Sequence, residues 1–224
     1  MFKLYYTEAM LSHTDEAALF SVLDEDRRLK LARRPQKDRI SAAAASCLLR
    51  YALTDTGNGA FADAPVVWDG KPHFADPHLP LFFNLSHTTD TARGRFAAAV
   101  LLSDEDEVGV DLEYVHTPKN RDALMRRLFT PDECAYIARC GTESAFFDIW
   151  CAKEAFVKRT GEGFARPLSS VFVDASAKKA ASGEMSCDLL WHSIGDCRIC
   201  CAADDLKSGV EITVLTPEQL LSVL

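Results

Sequence analysis

No stretch of this chain approaches the roughly 20 consecutive apolar residues that a membrane-spanning helix needs; the longest apolar runs, such as Phe96 to Leu102, stop far short of it. Positive charge is also in short supply, since 25 Lys and Arg stand against 33 Asp and Glu for a formal net charge of −8. Nonspecific affinity for nucleic acid comes from neutralising many phosphates, so a general nucleic-acid binder is excluded and any attraction for an anion must be local. The opening residues, MFKLYYTEAM, lack the apolar core and small-residue cleavage site of a secretory leader, which makes the cytoplasm the expected compartment. Short-period repeats and low-complexity tracts are absent as well. What is left is ordinary globular composition: 224 residues, 48% apolar and 26% charged, enough to bury a core in one or two domains.

Two clusters stand out against that background. Cys197, Cys200 and Cys201, with Cys187 and His192 nearby, are the densest of eight cysteines. A structural zinc site takes two well-separated ligand pairs, whereas CRICCAA reads as a buried strand whose thiols serve as small hydrophobes in a reducing compartment. Arg27, Arg28, Lys30, Arg33, Arg34, Lys37 and Arg39 fall within thirteen positions and supply the local positive charge. That run reads either as a solvated helix face or as a surface for an anion.

Hydrophobic periodicity organises the chain as α+β, with helices in blocks between groups of strands. FKLYYTEA reads as a strand, Asp15 to Arg33 as a helix, and Asp38 to Leu53 as a second helix belonging to the core. Thr56-Gly57-Asn58-Gly59 is a turn, and Val66 to Pro80 holds short strands and loop. Phe82 to Leu85 and Phe96 to Leu102 read as strands separated by a polar loop from His87 to Arg95. The acidic Ser103 to Glu107 marks the best boundary, dividing the chain into halves 1–103 and 104–224. Thr130-Pro131-Asp132-Glu133 carries a helix-start signature, a further helix covers Glu143 to Arg159, and the tail alternates strands with turns.

The carboxylates are the chemically informative residues. In VGVDLE, strand geometry sends Asp111 and Glu113 to one face and Val110 and Leu112 to the other. Two adjacent acids repel unless a cation lies between them, and a magnesium ion, which takes oxygen ligands and leaves positions for phosphates, is the natural one; acids hydrating a strand edge are the plainer alternative. In WCAKEAFVK, Glu154 and Lys158 share a helix face, adding a third carboxylate and, with Lys153, one or two lysines for phosphates held by that metal. Gly70-Lys71-Pro72 and Asn84-Leu85-Ser86-His87 place further polar side chains at a turn and at a strand end.

The order WDGKPHF, FNLSH, VGVDLE, LFTPDE and WCAKEAFVK followed by GEG resembles the 4′-phosphopantetheinyl transferases of the surfactin-synthetase-activating, long pseudo-dimeric type. The resemblance implies two similar α+β halves related by pseudo-twofold symmetry, with the active site between them and a monomer as the expected state. It implies transfer of the phosphopantetheine arm of coenzyme A to a serine of an apo acyl or peptidyl carrier protein, releasing adenosine 3′,5′-bisphosphate. Such holo-acyl-carrier-protein synthase activity serves fatty-acid, polyketide or nonribosomal peptide synthesis. By motif, Asp111, Glu113 and Glu154 would hold magnesium. Lys71, Pro72, Ser86 and His87 would contact coenzyme A, Lys158 and Lys153 would neutralise its pyrophosphate, and Glu133 would be the general base. The N-terminal basic contact falls at Arg39 or Ser41, with Arg28 or Lys30 as alternatives. Loss of a metal ligand is then expected to abolish activity, and loss of Glu133 only to slow it.

Two other functions use the same residues. A magnesium-dependent phosphohydrolase would hydrolyse coenzyme A with no carrier present, and a coenzyme A-binding regulatory module would bind without turnover. Carrier docking is expected around Leu124, Met125, Leu128 and Phe129, where Arg126 and Arg127 would meet an acidic helix.

Overall fold

The first strand, β1 (Phe2–Met10), is apolar on both faces, with Leu4 and Tyr6 on one and Tyr5 on the other, so it must lie between two layers. The computed structural model, which describes residues 1–57 and 59–222, shows those layers. After β1 come α1 (Glu16–Ser21), α2 (Glu25–Ala32) and α3 (Gln36–Asp55). A small ribbon, β2 (Val66–Val67) with β3 (His73–Phe74), precedes the hairpin of β4 (Phe82–Asp90) and β5 (Arg95–Ser103). The other half begins with β6 (Gly109–Tyr114), continues through α4 (Arg121–Leu128), α5 (Pro131–Cys140) and α6 (Glu143–Thr160), and adds β7 (Phe172–Asp174), β8 (Lys179–Ser182), β9 (Met185–Ile194) and β10 (Cys197–Ala203). The chain closes with β11 (Glu211–Leu215) and α7 (Pro217–Ser222), and β11 pairs in parallel with β1, so the C-terminal segment returns to the first sheet.

The first sheet has the order β11-β1-β5-β4 and the second β6-β10-β9-β8-β7. Their inner faces form one apolar layer, in which Leu4, Tyr6, Ala97, Ala99 and Leu101 meet Val110, Leu112, Ile199 and Cys201. On the outer face of the first sheet, α3 buries its run Ala42 to Ala45 against Tyr5, Ala98, Val100 and Phe83. On the outer face of the second, α6 buries Ile149, Ala152 and Phe156 against Val173, Leu189 and Cys200. The result is four layers, helix, sheet, sheet, helix, and a mixed α+β architecture. No helix among the described residues is long and apolar enough to cross a membrane.

Two local expectations change. The helix expected from Asp15 to Arg33 is two helices, because Asp24 caps α2 by accepting from the Arg27 N–H at 2.7 Å and breaks the run. The polar loop expected from His87 to Arg95 is mostly strand: β4 continues to Asp90, and its ladder to β5 is unbroken from Phe82↔Ser103 to Asp90↔Arg95. Polar residues extend there because their side chains have work on the other face, described below. The turn expected at Thr56 to Gly59 includes Asn58, which lies outside the described residues.

One contact sets how close β6 and α6 come. A Cβ on Gly109 would stand 2.0 Å from the Ala155 carbonyl oxygen and 2.7 Å from the Arg159 nitrogen, both main-chain atoms of the helix. A methyl group there cannot be absorbed by turning a side chain, so Gly109→Ala must push strand and helix apart. Equilibrium denaturation of that variant is expected to show a loss at or above the upper end of the roughly 1–3 kcal/mol usual for overpacking.

Candidate active site

β6 carries its apolar residues into the layer between the sheets and turns Asp111 and Glu113 to the side facing α6, as the period of two requires. On α6, Glu154 and Lys158 are one turn apart on the edge of the helix that stays half-exposed. Close packing of strand and helix brings the Lys158 ammonium to Asp111 Oδ1 at 2.6 Å, with side chains 28% and 7% exposed. The same ammonium donates to Ser86 Oγ at 2.8 Å, and Ser86 donates to Asp111 Oδ1 at 3.0 Å. Thr88 donates to Glu113 Oε2 at 2.8 Å. Thus β4 of one sheet, β6 of the other and α6 meet in a single polar cluster.

Electrostatics in the cluster favour an added cation. Burial, and then the charge of Asp111, raise the Glu113 carboxyl above the ordinary glutamate range. Glu154 is raised for the same two reasons, with Lys158 opposing. Asp111 Oδ2 is buried with no hydrogen-bond partner. Three oxygen-donor side chains with too little positive charge and one orphaned buried oxygen fit the chemistry of a hard divalent ion. The set is not assembled, however: among the described residues no group of three or more His, Cys, Asp or Glu converges closely enough to hold a metal. Lys158 takes up the Asp111 oxygen instead.

Residues 107–203 match the sequence pattern of the 4′-phosphopantetheinyl transferase superfamily. That span holds β6, α4, α5 and α6, and with them Asp111, Glu113, Glu154 and Lys158. The chain is 42% identical over 95 residues to the 4′-phosphopantetheinyl transferase AcpT of Salmonella typhi, covering 41% of this chain and 46% of that protein. It is 28% identical over 164 residues to a 4′-phosphopantetheinyl transferase of Bacillus subtilis (68% and 67%), and 36% over 107 residues to the 4′-phosphopantetheinyl transferase psf-1 of Bacillus pumilus (46% and 41%). The chain therefore spans about half the length of the AcpT relative.

The remaining superfamily positions fall into two groups. His87 lies on the α3 side of β4, the face opposite Ser86, where its Nδ1 is 3.0 Å from Ser41 Oγ on α3. Lys71 donates to the Arg159 carbonyl at 2.9 Å and pairs with Glu107, bridging the two halves. Beside it Pro72, Phe74, Leu81 and Gly161 line a cavity of about 560 Å³. Burial lowers the Lys71 ammonium from the ordinary lysine value, against the pull of Glu107.

Three of the residues singled out in the sequence are paired within the protein. Glu133 and Lys153 are fully buried and paired with each other at 2.9 Å. Glu133 also accepts from the Thr130 and Val173 N–H groups, both at 2.8 Å, while Lys153 donates to the Leu168 and Val171 carbonyls. Both side chains are thus engaged inside the protein and away from solvent in this structure. Arg39, the preferred N-terminal contact, is committed to Glu16 on α1 at 2.6 Å, and the α3 residue that reaches His87 is Ser41. Of the basic run, Arg27 is internal, stacked 3.9 Å from the Trp68 ring centroid, while Arg28, Lys30, Arg33, Arg34 and Lys37 stay exposed.

Two outcomes follow from these environments. Lys153→Met should lower stability by about 3–5 kcal/mol in denaturant titration, because Glu133 is left charged and buried alone, and adding Glu133→Leu should recover much of it. Burial, then Lys158, Arg34 and Arg27, lower the His87 imidazole from 6.5 to about 3. Its ring signals should stay fixed in NMR spectra recorded from about pH 8 down to about pH 5. Because the unfolded chain takes up that proton first, His87 contributes stability that is complete above about 6.5 and is lost as the pH falls toward about 3.

Proposed function

We propose that this chain transfers the phosphopantetheine arm of coenzyme A to the serine hydroxyl of an apo acyl or peptidyl carrier protein, with magnesium, releasing adenosine 3′,5′-bisphosphate. The observation that carries the reading is the meeting of Asp111, Ser86 and Lys158 from three elements and both sheets, with Asp111 and Lys158 inside the segment that matches the superfamily. The relatives' names, the order of the motifs and the charge-poor environment of the carboxylates support it.

Phosphoryl-type transfer asks the protein mainly to align nucleophile and leaving group and to absorb developing charge. Asp111, Glu113 and Glu154 would hold the magnesium, whose positive charge would neutralise pyrophosphate oxygens when bound. Lys158, already at the carboxylate cluster and half-exposed, would move its ammonium from Asp111 to a phosphate oxygen. His87 and Lys71, with Pro72 beside it, would bind the nucleotide end along the cleft. Glu154, with Lys158, borders an open groove of about 450 Å³ lined also by Arg127, Leu128, Arg166 and Leu168. An acidic carrier helix would approach over Arg126 and Arg127, which lie exposed on α4. In the same reading the halves 1–103 and 104–224 are pseudo-twofold related, one chain completes the cleft as a monomer, and the reaction runs in the cytoplasm.

The test is intact-protein mass spectrometry of an apo carrier protein incubated with this protein, coenzyme A and magnesium. The expected outcome is a gain of one phosphopantetheine arm, absent with Asp111→Asn and strongly reduced on chelation of the metal. Consumption of coenzyme A without a carrier, or binding of coenzyme A with no transfer to any of several carriers, would replace the reading with a hydrolase or a binding module.

A further inference from the structure

β6 is an edge strand of its sheet and β4 is the edge of the other, so each presents main-chain groups that no ladder satisfies. On the open side of β6 the Val110 N–H donates to Asn84 Oδ1 at 2.9 Å and the Leu112 N–H to Ser86 Oγ at 3.4 Å. Side chains of β4 thereby stand in for a neighbouring strand. Asn84, Ser86 and Thr88 alternate along β4 and share its inner face, and β6 has the same period, so the two strands stay in step: Asn84 to Val110, Ser86 to Asp111 and Leu112, Thr88 to Glu113.

The three do different things. Asn84 serves only the edge, and Ser86 divides its hydroxyl between the edge, Asp111 and Lys158. Thr88 alone gives its hydrogen bond wholly to a carboxylate, Glu113 Oε2 at 2.8 Å. A threonine in a strand is stiff at χ1, so the direction of that hydroxyl is set by the backbone of β4 and not by the site. It directly follows the Asn-Leu-Ser-His motif, and its signal in the sequence is the alternation of polar residues at 84, 86 and 88.

We propose that Thr88 is a positioning residue: its hydroxyl orients the Glu113 carboxylate toward the divalent cation, with the rigid first sheet as the reference. The inference rests on the metal-dependent reading above. Partners that orient metal ligands in this way contribute about 10- to 100-fold in metal affinity.

Manganese(II) binding to the whole protein in the presence of coenzyme A, followed by electron paramagnetic resonance with no carrier added, reads this without turnover. Thr88→Val removes the hydroxyl at nearly constant shape, and Thr88→Ser keeps it. Thr88→Val should weaken manganese binding by about 10-fold or more, whereas Thr88→Ser should remain within about threefold of the parent. The magnesium concentration for half-maximal rate should rise in Thr88→Val while the rate at saturating metal holds. Equal manganese affinity in Thr88→Val and the parent, with Asp111→Asn impaired, overturns the positioning role alone. Equal affinity in Asp111→Asn and the parent overturns the metal site itself, and the role of Thr88 with it.

Discussion

The site depends on the approach of β6 to α6, which Gly109 permits because main-chain atoms of the helix fill the space a side chain would need. From that contact Asp111 comes within 2.6 Å of the Lys158 ammonium, and Glu113 and Glu154 come close enough to Asp111 to feel its charge. The other side of β6 is held as firmly, by Val110 and Leu112 in the layer between the sheets. A strand fixed on both faces has little freedom to relieve repulsion among its acids by moving. The repulsion is therefore retained at the surface of the cleft, where a cation can act on it.

α6 carries two separate charge systems on different faces of one helix. Lys153 and Glu154 are adjacent in sequence but lie about 100° apart around the axis, so one points into the core and the other to the cleft. Lys153 joins Glu133 there, and through it the first turn of α5 and the start of β7, while its own bonds to the Leu168 and Val171 carbonyls hold the segment that walls the groove beside Glu154. Buried ion pairs seldom add much net stability over apolar substitutes. Their effect here is geometric: they define where α5, α6 and β7 sit relative to one another.

The cleft is also joined at its far side by Arg95, which bonds Glu8 at 3.1 Å and Asp196 at 2.7 Å and stacks 4.3 Å from the centre of the Tyr114 ring. Tyr114 in turn donates to Glu8 at 3.1 Å. With Lys71 bridging Glu107 and the end of α6, the two sheets are tied by polar contacts at the edges of their shared apolar layer. Such ties oppose shear between the sheets.

Much of this was legible in the residues themselves. Thr130-Pro131-Asp132-Glu133 announces the start of α5, since a capping box is a local exchange of hydrogen bonds, and both of its bonds are present. The alternation in VGVDLE places two acids on one face of a strand because strand geometry has a period of two whatever surrounds it. The sequence by itself determined these short-range features, together with the α+β class and the match of residues 107–203 to the 4′-phosphopantetheinyl transferase pattern. Only the tertiary structure decided that Glu133 and Lys153 neutralise each other in the core, that Arg39 is taken by Glu16, and that Thr88 faces Glu113. Those pairings join residues 20 to 25 positions apart, and a charged side chain seen in sequence alone carries no mark of whether its partner will be another residue, a ligand or water.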